Sequence, residues 1–288
     1  MVMPAVPHEH ARNYHWNLEE IDRLSTEEII RMLHRFGVPF ATKSFLEQVE
    51  QHHSAFELGS NWIRDNHIKA SGFDVDFIWM SSEILWGRLA PEKINSERIN
   101  DLMQDGYTDI GNNDIINGCT KWLNVWEHLK ENFTSDMNNI DDAEKTFEGL
   151  QFLSNWCQDL ETELWNAALK DVYFHHERIR YCDEFCNLFP ESLELIIVNM
   201  YRAKADSLYE IGDIEKGEEV YKKLIYDYPD NAWGYIGWGD IYAHGVINSN
   251  IHIDNEKARK IYQLASNREM EDYYVILERL AALQAIAD

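Results

Sequence analysis

Positive charge is what this chain has least of. Lys and Arg total 26 against 51 Asp and Glu, a formal net charge of −25. Binding a phosphate backbone needs clustered cations that displace counterions, so nucleic acid is not an expected ligand; an anionic membrane surface is disfavoured on the same ground. Cysteine is scarce too. Cys119, Cys157, Cys182 and Cys186 in 288 residues are too few for a disulfide framework and fit a reducing compartment. No apolar run has the length that spans a bilayer. The opening MVMPAVPHEHARNYHW lacks the basic start and apolar stretch of a secretory signal. A cytoplasmic protein is expected. Strict apolar–polar alternation is also missing, which removes the case for a sheet.

What remains is ample material for a core. The chain is 45% apolar and carries 10 Trp, 14 Tyr and 12 Phe, far too aromatic for a disordered polymer. The acid is unevenly spread: from Asp101 to Met200 there are 20 acidic and 6 basic residues, so −14 of the −25 lies in about a third of the chain. Such a field steers in a basic protein or peptide, or simply keeps the protein soluble.

Helical periodicity runs through nearly every segment. Ser25-Thr26-Glu27-Glu28 supplies a hydroxyl cap and acids for the helix dipole ahead of Ile29, Ile30 and Leu33, and Gly37-Val38-Pro39 ends that helix. Thr42 and Ser54 open the next two, and the pattern from Phe73 to Leu89 stops before Pro91. A shorter helix is expected over Ile94–Met103, a turn-rich stretch over Asp105–Asp114, and a helix bearing Trp122, Trp126 and Leu129 after it. The polar run Glu131–Asp142 is the best boundary, although a long inter-helix loop fits it as well. The expected organisation is a mobile leader (1–17), an N-terminal helical module (18–135) and a repeat region (136–288). The last comprises a long helix from Asp142 to about Leu169, helices over Phe174–Leu188, Leu195–Ile211 and Ile214–Asp227, and a capping helix over Met270–Ile286.

From Val198 to Ala265 one helix–turn–helix pattern occurs twice. Tyr201, Ala205, Leu208, Gly212, Gly217, Tyr221, Leu224 and Pro229 are followed by Tyr235, Gly239, Tyr242, Ala258, Tyr262 and Ala265, with extra residues around Asn248–Asp254. Small residues recur where two helices must touch, and aromatics where the next unit must be gripped. Pro190 and Pro229 stand at equivalent places one unit apart.

At these residues the chain resembles the tetratricopeptide repeat. Ala205 and Gly217, then Gly239 and Ala258, take the places of that family's paired small residues; Gly212 matches its turn glycine, and Tyr221 and Tyr262 its second-helix aromatic. The likeness covers about a third of the chain. The segments Ala205–Asp213 and Tyr235–Asp240 are also similar to bacterial repeat proteins that often end in a SecA-type zinc-binding tail. No cysteine follows Cys186, so no zinc role is carried over. The fold the resemblance implies is all-α: a solenoid of helical hairpins with a concave groove lined by first helices. Matched positions place Asn199, Arg202, Asp206 and Tyr209 in the groove from one unit, and Trp233, Ile236, Asp240 and the rim residue Ala243 from the next. Tyr209 and Trp233 serve equally well as packing between repeats. The basic carboxylate clamp of chaperone-docking relatives is missing, with Gly237 and Asp206 at those places.

Candidate chemistry is thin. His175, Ile179, Cys182 and Cys186 share a helix face and offer one His and two Cys to zinc, but free cysteines are more often simply buried. His8, His10 and His15 could hold an ion only loosely. Gly212–Gly217 has the glycine spacing of a phosphate loop without its Lys and hydroxyl, and Asp105–Asp114 lacks a calcium-loop register. Glu161 and Glu163, or Asp141 and Asp142, have no partner base or nucleophile. No cofactor, metal or catalytic residue is assigned. The expected function is a non-enzymatic adaptor that presents a groove to a peptide or protein. The alternative is an acidic inhibitor or immunity-type protein that sequesters a basic target.

Overall fold

A computed structural model describes residues 15–147, 149–248, 251–266 and 268–287. The histidines His8 and His10, with most of the expected leader, lie outside the described residues. Among the described residues the chain forms fifteen helices and no strand. It divides into two compact units, 1–102 and 103–288, and the division falls inside one helix.

In the first unit the helices are α1 (Leu18–Asp22), α2 (Thr26–Phe36), α3 (Thr42–Val49), α4 (Ala55–Asp65), α5 (Asp74–Leu89) and the start of α6 (Ser96–Gly111). Ser25 and Glu28 close a reciprocal capping box on α2: the Ser25 Oγ accepts from the Glu28 N–H at 3.2 Å and Glu28 accepts from the Ser25 N–H at 2.8 Å. Gly37 ends α2 at φ +95°, a conformation that other residues adopt only with strain. The core is built from Ile21, Ile29, Leu33, Phe45, Leu58, Phe77, Leu85 and Trp86. One of its supports has no local sequence signal. The Glu97 carboxylate on α6 takes the Ser54 hydroxyl at 2.5 Å and the Ala55 and Phe56 N–H groups at 2.9 and 3.1 Å, placing an anion on the N-terminus of α4.

The second unit contains α7 (Ile115–Glu131), α8 (Ile140–Glu144), α9 (Leu153–Ala168), α10 (Tyr173–Leu188), α11 (Glu194–Glu210), α12 (Ile214–Asp227), α13 (Ala232–His244), α14 (Asn255–Gln263) and α15 (Tyr273–Ala287). Sequential helices pair, α9 with α10, α11 with α12 and α13 with α14; α15 covers both members of the last pair. The first helices also touch in series, α9 to α11, α11 to α13 and α13 to α15. The two proline sites end their helices alike. Phe189 before Pro190 stands at φ −126°, ψ 55° and Tyr228 before Pro229 at φ −125°, ψ 64°, because a residue preceding proline is kept out of the helical region.

The structure departs from the sequence expectation in two places and decides between two open readings in a third. Residues 105–111 are helical rather than turns: Gly106 and Gly118 let α6 and α7 meet so closely that a Cβ on Gly106 would collide with the Trp122 indole. The long helix expected from Asp142 is broken into α8 and α9, with the Glu144 carboxylate accepting the Ser154 N–H at 3.1 Å to start the second. The polar run 131–142 lies inside the second unit. Trp122 and Trp126 of α7 pack edge-on against Trp156 of α9 and Tyr181 of α10, which joins α7 to the helices beyond the run.

The small residues do what their spacing implied. Ala205 and Ala258 are fully buried. A Cβ on Gly217 would sit 2.8 Å from the Tyr209 ring, and one on Gly239 would overlap the Tyr262 ring. A second tie crosses the pairs. Glu218 of α12 accepts from Tyr209 Oη at 3.1 Å, Trp238 Nε1 at 3.2 Å, Lys257 Nζ at 2.9 Å and Lys222 Nζ at 3.1 Å, and from Tyr242 Oη, which links α11, α12, α13 and α14. These donors outweigh burial and hold its carboxyl down at about 2.

Gly239→Ala should therefore destabilise the second unit by about 1–3 kcal/mol through overpacking. Gly87→Ala, in α5 with open space around its Cβ position, should stabilise by about 0.5–1 kcal/mol; denaturant unfolding measures both. Because the Glu218 pKa is depressed on folding, its stabilisation is complete above the ordinary value of 4.5 and is lost as pH falls toward about 2. Glu218→Gln should flatten that part of the acid-unfolding profile and lower the melting temperature at neutral pH.

Candidate functional site

A cavity of about 320 Å³ opens between α11 and α13 in the second unit. Its walls repeat the helix period. Arg202, Asp206 and Glu210 follow one another at four-residue spacing along α11, and Gly237, Asp240, Ile241 and His244 face them from α13. Trp165 from α9 and the segment 245–247 complete the lining.

Each charged group is positioned differently. Arg202 lies over the Trp233 ring at 5.1 Å and donates weakly to Asn199 Oδ1 at 3.4 Å; its buried Nε has no hydrogen-bond partner. Gly237 makes room for this arrangement, since a Cβ there would come within 3.0 Å of Arg202 Nε and 2.6 Å of Tyr221 Oη. Asp206 accepts the Tyr221 hydroxyl through Oδ1. Burial raises the Asp206 carboxyl above its usual range, against the lowering by that hydroxyl and by Arg178 and Arg202. Asp240 takes the Tyr262 hydroxyl at 2.6 Å and Arg279 Nε at 2.9 Å. The bonds Tyr221 to Asp206 and Tyr262 to Asp240 are one interaction in two successive helix pairs: the tyrosine of the second helix holds the aspartate of the first.

Glu210 is buried, and its two oxygens accept the N–H groups of Ile247 at 2.9 Å and Asn248 at 2.7 Å. It thereby pins the strand of chain that closes one end of the cavity. Behind the cavity, Arg178 joins three helices. It pairs with Glu161 of α9 through Nε at 2.7 Å, donates to Ala203 O and Ser207 Oγ of α11 at 3.0 and 3.1 Å, and lies 4.9 Å from the Trp165 ring.

Of the groove residues read from sequence, Arg202, Asp206 and Asp240 come together in this cavity. Asn199 and Trp233 are half-buried beside it, with the Trp233 indole N–H on Asp272 at 2.9 Å. Tyr209 and Ile236 are only 0% and 1% exposed and so present nothing to a ligand. The Tyr209 ring fills the space above Gly217, and Ile236 belongs to the core of the pairs. Ala243 is half-buried. Sequence reasoning missed Trp165, Glu210 and His244. Glu210 was within reach, one helical turn beyond Asp206 on the same face; Trp165 was not, because α9 carries no recognisable repeat pattern.

The zinc-like face of α10 is inside the protein. His175 is buried with Nδ1 3.3 Å from Ser207 Oγ, and burial pushes its pKa down. Cys182 and Cys186 are buried, free thiols whose pKa burial raises, that of Cys186 to about 12. Among the described residues no three His, Cys, Asp or Glu side chains are grouped as a metal site. Gly212, at φ +83°, forms the turn from α11 to α12. No helix among the described residues is long and apolar enough to cross a membrane.

No protein-family model matches the chain, and neither a curated protein nor a solved structure matches it.

Glu210→Ala should release the segment that Glu210 anchors. Hydrogen exchange at the Ile247 and Asn248 amides is expected to accelerate at least tenfold while amides of α12 keep their protection.

Proposed function

We propose that the second unit is a tetratricopeptide-like solenoid that works as a non-enzymatic adaptor, taking a protein or peptide segment into the cavity between α11 and α13. The observation that carries this reading is the lining itself. Successive first helices bring Arg202, Asp206, Glu210 and Asp240 to one concavity whose walls also offer Trp165 and Ile241. Recognition sites of this kind combine apolar surface with a few placed polar groups. The lining offers no nucleophile next to a base, which turns the reading away from catalysis. Four free, buried cysteines favour a cytoplasmic setting.

The acidic stretch favours a second reading, in which surface charge sequesters a basic target. All six Lys and Arg between 101 and 200 make contacts inside the chain, Arg180 alone meeting Glu127, Glu177 and Glu184, so the surplus acid stays uncompensated. The two readings separate by experiment. Partners captured by the full chain should be lost with Arg202→Ala combined with His244→Ala, at unchanged melting temperature, and should withstand added salt. Retention by the double variant, with steep loss as ionic strength rises, would replace the groove by the acidic surface.

A further inference from the structure

We propose that the cavity between α11 and α13 is a socket for one basic side chain, lysine or arginine, of an extended peptide, with Asp206 as the acceptor of its charge. The inference rests on the adaptor reading and names what that groove selects.

Three observations lead to it. The first is the charge balance of the lining. Asp206, Glu210 and Asp240 face a single permanent cation, Arg202. Asp240 is neutralised by Arg279, and Arg178, which also acts on Asp206 from behind the cavity, is neutralised by Glu161. This still leaves Asp206 and Glu210 against Arg202 in a partly enclosed space.

The second is which acid is free to bind. Glu210 spends one oxygen on each of two backbone N–H groups, and Asp240 is held by Tyr262 and Arg279. Asp206 gives Oδ1 to Tyr221, whereas no donor among the described residues reaches its Oδ2. A half-buried carboxylate with one unmet oxygen gains most from a charge-assisted donor, because water no longer serves it fully.

The third is shape. The cavity has room for a long side chain and the adjoining main chain, but not for a helix, which is about 10 Å across. Trp165, Ile241 and Ile247 supply apolar wall for the methylene stem, the half of a lysine or arginine that prefers apolar contact. Arg202 lies one turn before Asp206, about 6 Å along α11. It thus offers a donor to a peptide carbonyl while the side chain reaches the acid.

The test is selection of a random peptide library on the immobilised full chain, followed by measured affinities of the selected peptides. The expected result is enrichment of lysine or arginine at one fixed position. Replacing that residue by norleucine, and separately Asp206→Asn in the protein, should each weaken binding about tenfold or more. Asp206→Asn keeps an acceptor for Tyr221, and an unchanged melting temperature establishes that the variant is folded. Glu256→Gln, which removes one negative charge from exposed α14, should leave affinity within about twofold. Peptides that lose binding with Arg202→Ala but show no basic position would overturn the socket while leaving the groove in place. Selection indifferent to both Arg202→Ala and Asp206→Asn would overturn the groove as well.

Discussion

Close approach of an aromatic ring to a glycine on a facing helix is the constraint on which the second unit depends. Tyr209 lies over Gly217, Tyr262 over Gly239 and Trp122 over Gly106, each at a distance that a methyl group would forbid. Glycine inside a helix costs about 0.5–1 kcal/mol relative to alanine. The return is a helix pair close enough for a large ring to be fully buried and for its hydroxyl to reach a carboxylate on a neighbouring helix. That is how Tyr262 meets Asp240, and Tyr221, above Gly237, meets Asp206.

The candidate site follows from this packing. The tyrosines that fill the helix crossings fix the orientation of the two aspartates at the cavity, so the site is held by core residues rather than by mobile loops. Glu218 of α12 performs the related task within the stack, collecting donors from three other helices on one anion. Arg178 and Glu161 do so between α9, α10 and α11. A buried ion pair of this kind adds little net stability over an apolar substitute, whereas removing one partner leaves a buried charge unpaired, at a cost of about 3–5 kcal/mol.

The chain also uses carboxylates as remote caps. Glu97 satisfies the N-terminus of α4, and Glu210 holds the backbone at 247 and 248. Each is acidic in a very acidic chain, and in each the charge meets unsatisfied N–H groups rather than a cation. Part of the net charge of −25 therefore has structural work.

Local patterns determined a good deal alone. Helical period, the Ser25–Glu28 capping box, Gly37, Gly212 and the paired prolines place most helices to within a few residues, because each acts on its own backbone neighbourhood. The duplicated small and aromatic residues marked the helix crossings in the same way. Tertiary structure alone decided what depends on residues far apart in the chain. Gly106 reads as a turn until Trp122 is seen to need its vacant side. The run 131–142 reads equally as a boundary and as a loop between helices until Trp122 and Trp126 are found against Trp156 and Tyr181. Tyr209 and Ile236 sit at groove positions in the repeat pattern but face inward, since spacing fixes an angle around the helix and not what packs against it. Trp165 and Glu210 join the cavity only through the stacking of α9, α11 and α13, a relation between helices that no single window of sequence contains.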